Sequence, residues 1–268
     1  MVMAGANDLA ALVAAVRAGA KYRHLDIGLV EAVAAGELAK GRSFKETVKA
    51  TRNKLHQVAG AYLPDRPDYG AWLKMLSQAT TDEAWRAACR QVMAHHASTR
   101  ERLSFLDTFY PTILGDLPPI HTILDLACGL NPLAAAWMPL AEGARYVACD
   151  IYEDQVHFLN QVFEVRGMQG MAFLCNLVEA VPDQHADVAL LLKTIPCLEQ
   201  LDKNIGARLL QQINAPVIAV SFPARSLGGR GKGMVQNYAD HFATLVAGQP
   251  WQIARFDFPT EMVFRITK

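Results

Sequence analysis

Two short pieces of this sequence carry the chemistry that can be named first. One is the run from Ile120 to Pro132, IHTILDLACGLNP, where apolar Ile123, Leu124 and Leu126 give way to the small-residue turn Ala127-Cys128-Gly129. An apolar run of that length, a tight turn and a helix-like segment from Pro132 read as a buried parallel strand leading to a helix N-terminus. Such a junction offers backbone N–H groups to a bound nucleotide. A single glycine stands where the dinucleotide fingerprint has three, so by itself the piece also fits an ordinary strand–turn–helix. The other piece is Tyr146-Val147-Ala148-Cys149-Asp150, the next apolar run. An acidic residue about 20 positions beyond a glycine turn can accept both hydroxyls of a ribose. Gly129 and Asp150 together point to an adenosine-containing ligand.

The other candidates stand near the ends of expected strands or on basic segments. Asn176, followed by Leu177, closes the run Met171–Cys175, where its amide oxygen could meet an adenine amino group. Lys193 follows the wholly apolar Val188–Leu192 and belongs near the mouth of a sheet-end pocket. Arg102, on a helix expected to run from His95 through Tyr110 with Ser98 or Thr99 as its cap, can fork onto a ligand carboxylate if it faces the Gly129 turn. An ordinary helix-surface arginine is the alternative. Beyond the strand Val217–Ser221 lies ARSLGGRGKG, in which Arg225, Arg230 and Lys232 are interleaved with four glycines. That composition suits a loop that orders around phosphate, or else a plain solvated loop. It lacks the Lys-Ser/Thr pair of a P-loop, which excludes ATP hydrolysis on that pattern. His95 and His96 are adjacent and diverge on a helix, so no metal site is expected.

The elements that must position these residues follow from periodicity. Strand-like runs begin only near residue 120, and seven of them can be counted, the last two (Ile253–Phe258 and Glu261–Thr267) joined as a hairpin. Seven strands closed by an antiparallel pair is the arrangement of S-adenosylmethionine-dependent methyltransferases rather than of dehydrogenases. The expected fold is therefore α/β and Rossmann-like, a class I methyltransferase with a seven-stranded, mostly parallel sheet. Helical patterns occupy residues 7–18, 26–39, 43–60, 71–77 and 82–97, giving an all-helical N-terminal subdomain. The third opens with a capping box, Ser43 to Glu46. Trp72 and Trp85 fit a core better than a stacking platform. The expected division is residues 1–105, a helical docking subdomain with its linker helix, and residues 106–268, the Rossmann-like domain.

Composition narrows the partners. The 268 residues are 51% hydrophobic and carry no apolar run long enough for a membrane span, and five cysteines without a CxxC pair fit reduced thiols in a cytoplasmic protein. Net charge is zero, yet residues 1–60 hold nine Lys/Arg against five Asp/Glu, and residues 111–268 eleven against fifteen. A basic head on an acidic body places a polyanion at one end. Lys45, Lys49, Arg52 and His56 are spaced three or four apart on one helix and share a face, either a solvated basic face or a phosphate-tracking one.

Several longer stretches are recognisable: KETVKATRNKLHQVAGAYL (45–63), HASTRER (96–102), LDLACGLNPLA (124–134), CDIY (149–152), LLLKTIPCLE (190–199) and AVSFPARSLGGRGKGM (219–234). On these the sequence resembles the aminoglycoside-resistance methyltransferases that modify N7 of a guanosine in the decoding site of bacterial 16S ribosomal RNA. The resemblance implies that S-adenosylmethionine is bound and released as S-adenosylhomocysteine. It further implies that Arg102 holds the methionine carboxylate, Ala127 and Gly129 line the cofactor turn, Asp150 grips the ribose, and Leu177 and Lys193 adjoin the pocket. The substrate it implies is the assembled 30S subunit, met by a monomer through Lys45, Lys49 and Arg52, with Arg225, Arg230, Lys232 and Lys193 positioning the base. Asn176 departs from the family, whose better-known members have Asp there. A small-molecule methyltransferase of the same fold, a non-catalytic ribosome-binding module, and a methyltransferase for another ribosomal base remain the alternatives.

Overall fold

The computed structural model describes residues 2–60, 62–63, 66–224 and 233–268. Its strands are β1 (Ile120–Leu126), β2 (Leu140–Asp150), β3 (Gly170–Leu174), β4 (Val188–Leu192), β5 (Val217–Pro223), β6 (Gln252–Asp257) and β7 (Glu261–Thr267). They form one sheet in the order β3-β2-β1-β4-β5-β7-β6. The first five run parallel, and β7 is antiparallel to both β5 and β6. Strand order reverses between β1 and β4, so the crevice at their carboxyl ends is the natural ligand site.

The central strands are mostly apolar because both faces are covered. Every residue of β4 is buried. On one face Ile123, Ala148 and Leu190 pack in the core that also holds Trp72, Trp85, Phe109 and Phe158. On the other, Leu124, Val147 and Leu191 pack with Leu209, Leu210 and Phe242. Neighbouring residues of each strand serve opposite faces, as the period of two requires. The helices flanking the sheet are α4 (Tyr69–Ser77), α5 (Asp82–Met93), α6 (Ala97–Arg102), α7 (Leu106–Leu114), α8 (Glu153–Arg166), α9 (Ile195–Leu198), α10 (Ile205–Gln212) and α11 (Met234–Leu245).

Three further helices precede these: α1 (Val2–Arg17), α2 (Ile27–Leu38) and α3 (Phe44–Leu55). They enclose a separate core of Leu12, Val16, Leu25, Val30 and Leu55, into which Tyr152 of the body projects. The head is stitched to the body beside Asp150: Asp26 N–H donates to the Ile151 carbonyl (2.8 Å) and Glu153 N–H to that of His24 (2.9 Å). The apolar cores thus divide the chain after Leu63, since α4, α5 and α7 share the core of the sheet. Trp72 and Trp85 are both buried there.

Local chemistry explains most element ends. Glu46 reaches back to the Ser43 backbone N–H (3.2 Å) and hydroxyl (2.6 Å), the reciprocal arrangement that starts α3. Gly167, in the left-handed conformation, ends α8. Three expectations need correction. The helix from Ser43 does not run evenly to Gly60, because its last five residues, His56–Gly60, widen into a π turn. The segment from Pro132 is a 3-10 helix, Asn131–Trp137. The single helix expected from His95 is broken: α6 is capped at His96, a 3-10 turn spans Leu103–Phe105, and α7 follows. Thr99 caps nothing, as its hydroxyl donates to the Met93 carbonyl at 2.6 Å.

Candidate functional site

The carboxyl ends of β1, β2 and β4, with the segment just after β3, open onto one cavity. It is lined by Asp125, Ala127, Cys128, Gly129, Asn131, Asp150, Gln155, Cys175, Leu177, Leu192, Lys193 and Thr194. The roof comes from the helical segments before the sheet, through Val58, Ala59, Tyr62, His96, Ser98 and Arg102. Backbone strain is concentrated here. The non-glycine residues with positive φ are Ala127 (51°) and Lys193 (58°), among the described residues. Both sit immediately beyond a parallel strand, where such strain is characteristic of sites. Gly129 also has positive φ (53°), and a Cβ there would meet the His96 ring at 2.8 Å. Only glycine satisfies both constraints.

Asp150 holds this turn in place. Its Oδ2 accepts the Gly129 N–H (2.8 Å) and its Oδ1 the Ile151 N–H (2.7 Å). Burial raises its carboxyl above the usual range, against the opposing pull of the Gly129, Ile151 and Tyr152 backbone amides and the Gln155 side chain. The lone pairs left over belong to a carboxylate that lines the cavity. A fixed acceptor beside a glycine turn fits a ribose, and the buried, unpartnered Gln155 amide in the same wall fits a polar ligand; the residues present therefore suit an adenosine-bearing group.

Arg102 is placed in the cavity wall, as its motif suggested, but it is neither exposed nor free. It is fully buried. Nη2 and Nε donate to Glu261 Oε1 (2.7 Å) and Oε2 (3.1 Å), and Nη1 donates to Asn131 Oδ1 (2.8 Å) and the Tyr110 hydroxyl (3.4 Å). The guanidinium also stacks on Phe109, 4.5 Å from the ring centroid. Of its five N–H groups, one is left for a ligand. Lys193 joins the same network, 2.6 Å from Glu101 and 3.5 Å from Glu261. Burial alone would raise the Glu261 carboxyl, but Arg102 and Lys193 outweigh it and hold it below the usual range.

Four residues that the sequence reading did not assign to the site belong to it. Asp125, one residue from the end of β1, accepts from the Asn131 amide (2.9 Å) and the Tyr146 hydroxyl (2.7 Å), and burial pushes its carboxyl up to about 7. A lone acid inside an apolar strand was the available signal. Glu261, at the start of β7, is distant in sequence and gave none. Burial, then the nearby Arg102, Lys193 and Arg100, pushes His96 down to about 3, so its imidazole is neutral; its ring lies parallel to that of Tyr62. Gln155 is the fourth.

Two residues are placed otherwise than expected, Asn176 relative to the cavity and Arg52 relative to the docking face. The Asn176 amide oxygen accepts the Val178 N–H (3.1 Å) in a local turn, and the side chain faces a second cavity lined by Glu37, Lys40 and Lys54. Its neighbours Cys175 and Leu177 line the main cavity instead. Arg52 does not stand free on α3 beside the exposed Lys45 and Lys49. Its Nη2 donates to the Ala15 carbonyl at 2.6 Å, satisfying the end of α1. Arg225, Arg230 and Lys232 lie outside the described residues.

A family model for ribosomal RNA methyltransferase (FmrO) matches residues 18–266. The chain belongs to this family. It is 39% identical over 259 residues to a 16S rRNA (guanine(1405)-N(7))-methyltransferase of Micromonospora echinospora, covering 95% of this chain and 94% of that protein. A protein of the same name from Serratia marcescens is 35% identical, with 94% and 96% covered. Among solved structures, the 16S rRNA methyltransferase RmtF in complex with S-adenosyl-L-homocysteine superposes with a TM-score of 0.85 at 32% identity, covering 97% of this chain and 98% of that one. The 16S rRNA methylase RmtB gives 0.81 at 29% identity, with the same coverage. The family thus carries the class I methyltransferase fold expected from the strand pattern. Among the described residues, no helix is long and apolar enough to cross a membrane.

Proposed function

We propose that this protein transfers the methyl group of S-adenosylmethionine to N7 of a decoding-site guanosine in the 16S ribosomal RNA of the assembled 30S subunit. It acts as a monomer in the cytoplasm, and the modification confers aminoglycoside resistance. The observation that carries this reading is the sheet-end cavity in which a strained Ala127–Gly129 turn is clamped by Asp150, in a chain of the ribosomal RNA methyltransferase family. The relatives' names supply the base and the atom.

Bound in the cavity, the cofactor supplies an electrophilic sulfonium methyl. This chain's residues have the tasks of binding and alignment. Asp150 accepts from the ribose, Leu177 adjoins the adenine, and Arg102, with its remaining N–H, and Lys193 stand beside the methionine carboxylate. Guanine N7 carries an in-plane lone pair and no proton, so no general base is required. Rate comes from in-line placement of the acceptor and the methyl, which is worth several kcal/mol, roughly, when alignment is good. A base stacked or paired in the subunit has to be turned out to reach the cavity, and the role read from the sequence for Arg225, Arg230 and Lys232 is to hold the distorted backbone. Lys45 and Lys49 meet phosphates further away.

Purified 30S subunits incubated with the enzyme and methyl donor test the reading. Borohydride–aniline treatment cuts RNA at 7-methylguanosine, and primer extension places the cut. A stop at a decoding-site guanosine supports it. Cofactor binding without methylation of any ribosomal particle defeats it and favours a small-molecule substrate.

A further inference from the structure

We infer that Gln155 is a second ribose-reading residue, its amide donating to a ribose hydroxyl oxygen opposite the Asp150 carboxylate and so making the site selective for ribose over deoxyribose. The inference rests on the cofactor site proposed above.

Gln155 is 1% exposed; neither its Nε2 nor its Oε1 has a hydrogen-bond partner of good geometry among the described residues, and its amide lies near enough to Asp150 to pull that carboxyl down. Burying such an amide unsatisfied costs about 1–3 kcal/mol for each group, which an apolar side chain of similar size would avoid. Its position supplies the reason for keeping it. Gln155 is the third residue of α8, which begins three residues after Asp150. Side chains in a first helical turn lean back toward the N-terminus, here toward the strand end. Gln155 accordingly lines the same cavity wall as Asp150.

The two side chains are chemically complementary. Asp150 is acceptor-only, and each of its oxygens already takes one backbone N–H, which fixes the carboxylate and leaves it lone pairs for the two hydroxyl hydrogens of a ribose. Those hydroxyls then still carry acceptor oxygens facing protein. A carboxylate cannot satisfy them, whereas a carboxamide N–H can. Asn160, also on α8, shows the contrasting case: its amide is fully used, bonding both the carbonyl (2.8 Å) and the N–H (2.8 Å) of Ala172.

The test is calorimetric titration of S-adenosylhomocysteine and its 2′-deoxy and 3′-deoxy analogues into wild-type protein, Gln155→Leu and Gln155→Glu. Gln155→Leu should weaken S-adenosylhomocysteine about tenfold, the loss of one well-placed hydrogen bond. It should leave unchanged the affinity for the analogue that lacks the contacted hydroxyl. Gln155→Glu, which keeps the shape but replaces the donor, should lose at least as much. In thermal unfolding without ligand, Gln155→Leu should be as stable as wild type or more so, because an unsatisfied buried amide is gone. Unchanged affinity for S-adenosylhomocysteine, or equal weakening of all three ligands, overturns the inference and leaves Gln155 a water-bonded structural residue. Wild-type protein that binds none of the three overturns the cofactor site itself.

Discussion

Among the described residues, two groups of cationic side chains work under opposite physics. In the cavity wall Arg102 and Lys193 are buried and matched by Glu261 and Glu101. On α3, Lys45 and Lys49 are exposed. A buried charge is held by its partners at high desolvation cost, so removing one partner strands the other. An exposed charge is solvated and screened, and contributes mainly long-range attraction to a polyanion. The first region positions; the second steers. Arg52 shows that spacing alone does not assign a residue to either, since it shares the α3 spacing yet is spent on the end of α1.

The largest effect should come from breaking the buried region. Arg102→Ala leaves Glu261 with Lys193 as its cationic partner, beside the Ser221 hydroxyl, and should cost about 3–5 kcal/mol of stability in urea denaturation, with cofactor binding lost as well. A loss under about 1 kcal/mol would mean that the network is open to water, as surface pairs are.

Asp125 sharpens the same point through pH. Its carboxyl sits at about 7 in the fold, raised by burial. In the unfolded chain it returns to about 4. The native state therefore holds a proton that the unfolded state releases, and the stabilisation is complete below about pH 4 and lost as pH rises through 7. Asp125→Asn, which carries no such charge, should gain on wild type by on the order of 2 kcal/mol between pH 5 and pH 8. A stability difference that does not change with pH would place Asp125 in contact with solvent.

Asp150→Ala should weaken S-adenosylhomocysteine by about 1–3 kcal/mol in calorimetry, as for a charge-assisted acceptor. Unchanged affinity would remove the ribose from this end of the sheet. On α3, Lys45→Glu and Lys49→Glu should each weaken 30S binding by about 1 kcal/mol and flatten its salt dependence while cofactor affinity holds. Arg52→Ala should lower the melting temperature instead, and a variant as stable as wild type would return Arg52 to the docking face.

Much of this organisation can be read from order along the chain. The seven strands, the closing hairpin, the Ser43–Glu46 box, the Gly129 turn and the Asp150 position all depend on periodicity or on neighbours within a few residues, where local sterics decide. The family stretches named the ligand class and candidate reader residues for the same reason, since motifs are local.

What tertiary structure alone decided is which side chains are spent on the protein and which remain for a ligand. Arg102 and Glu261 are 159 residues apart, and nothing near either one announces the pair. Asn176 looks like a strand-end acceptor until the turn after β3 takes its amide oxygen, and Cys175 and Leu177 take the cavity in its place. Gln155 reads as an ordinary polar residue in a helix until burial shows that its amide has no partner among the described residues. Spacing fixes the face on which a residue lies. Whether a charge or an amide on that face is already satisfied depends on groups brought up from elsewhere in the chain, and only the packed fold sets those distances.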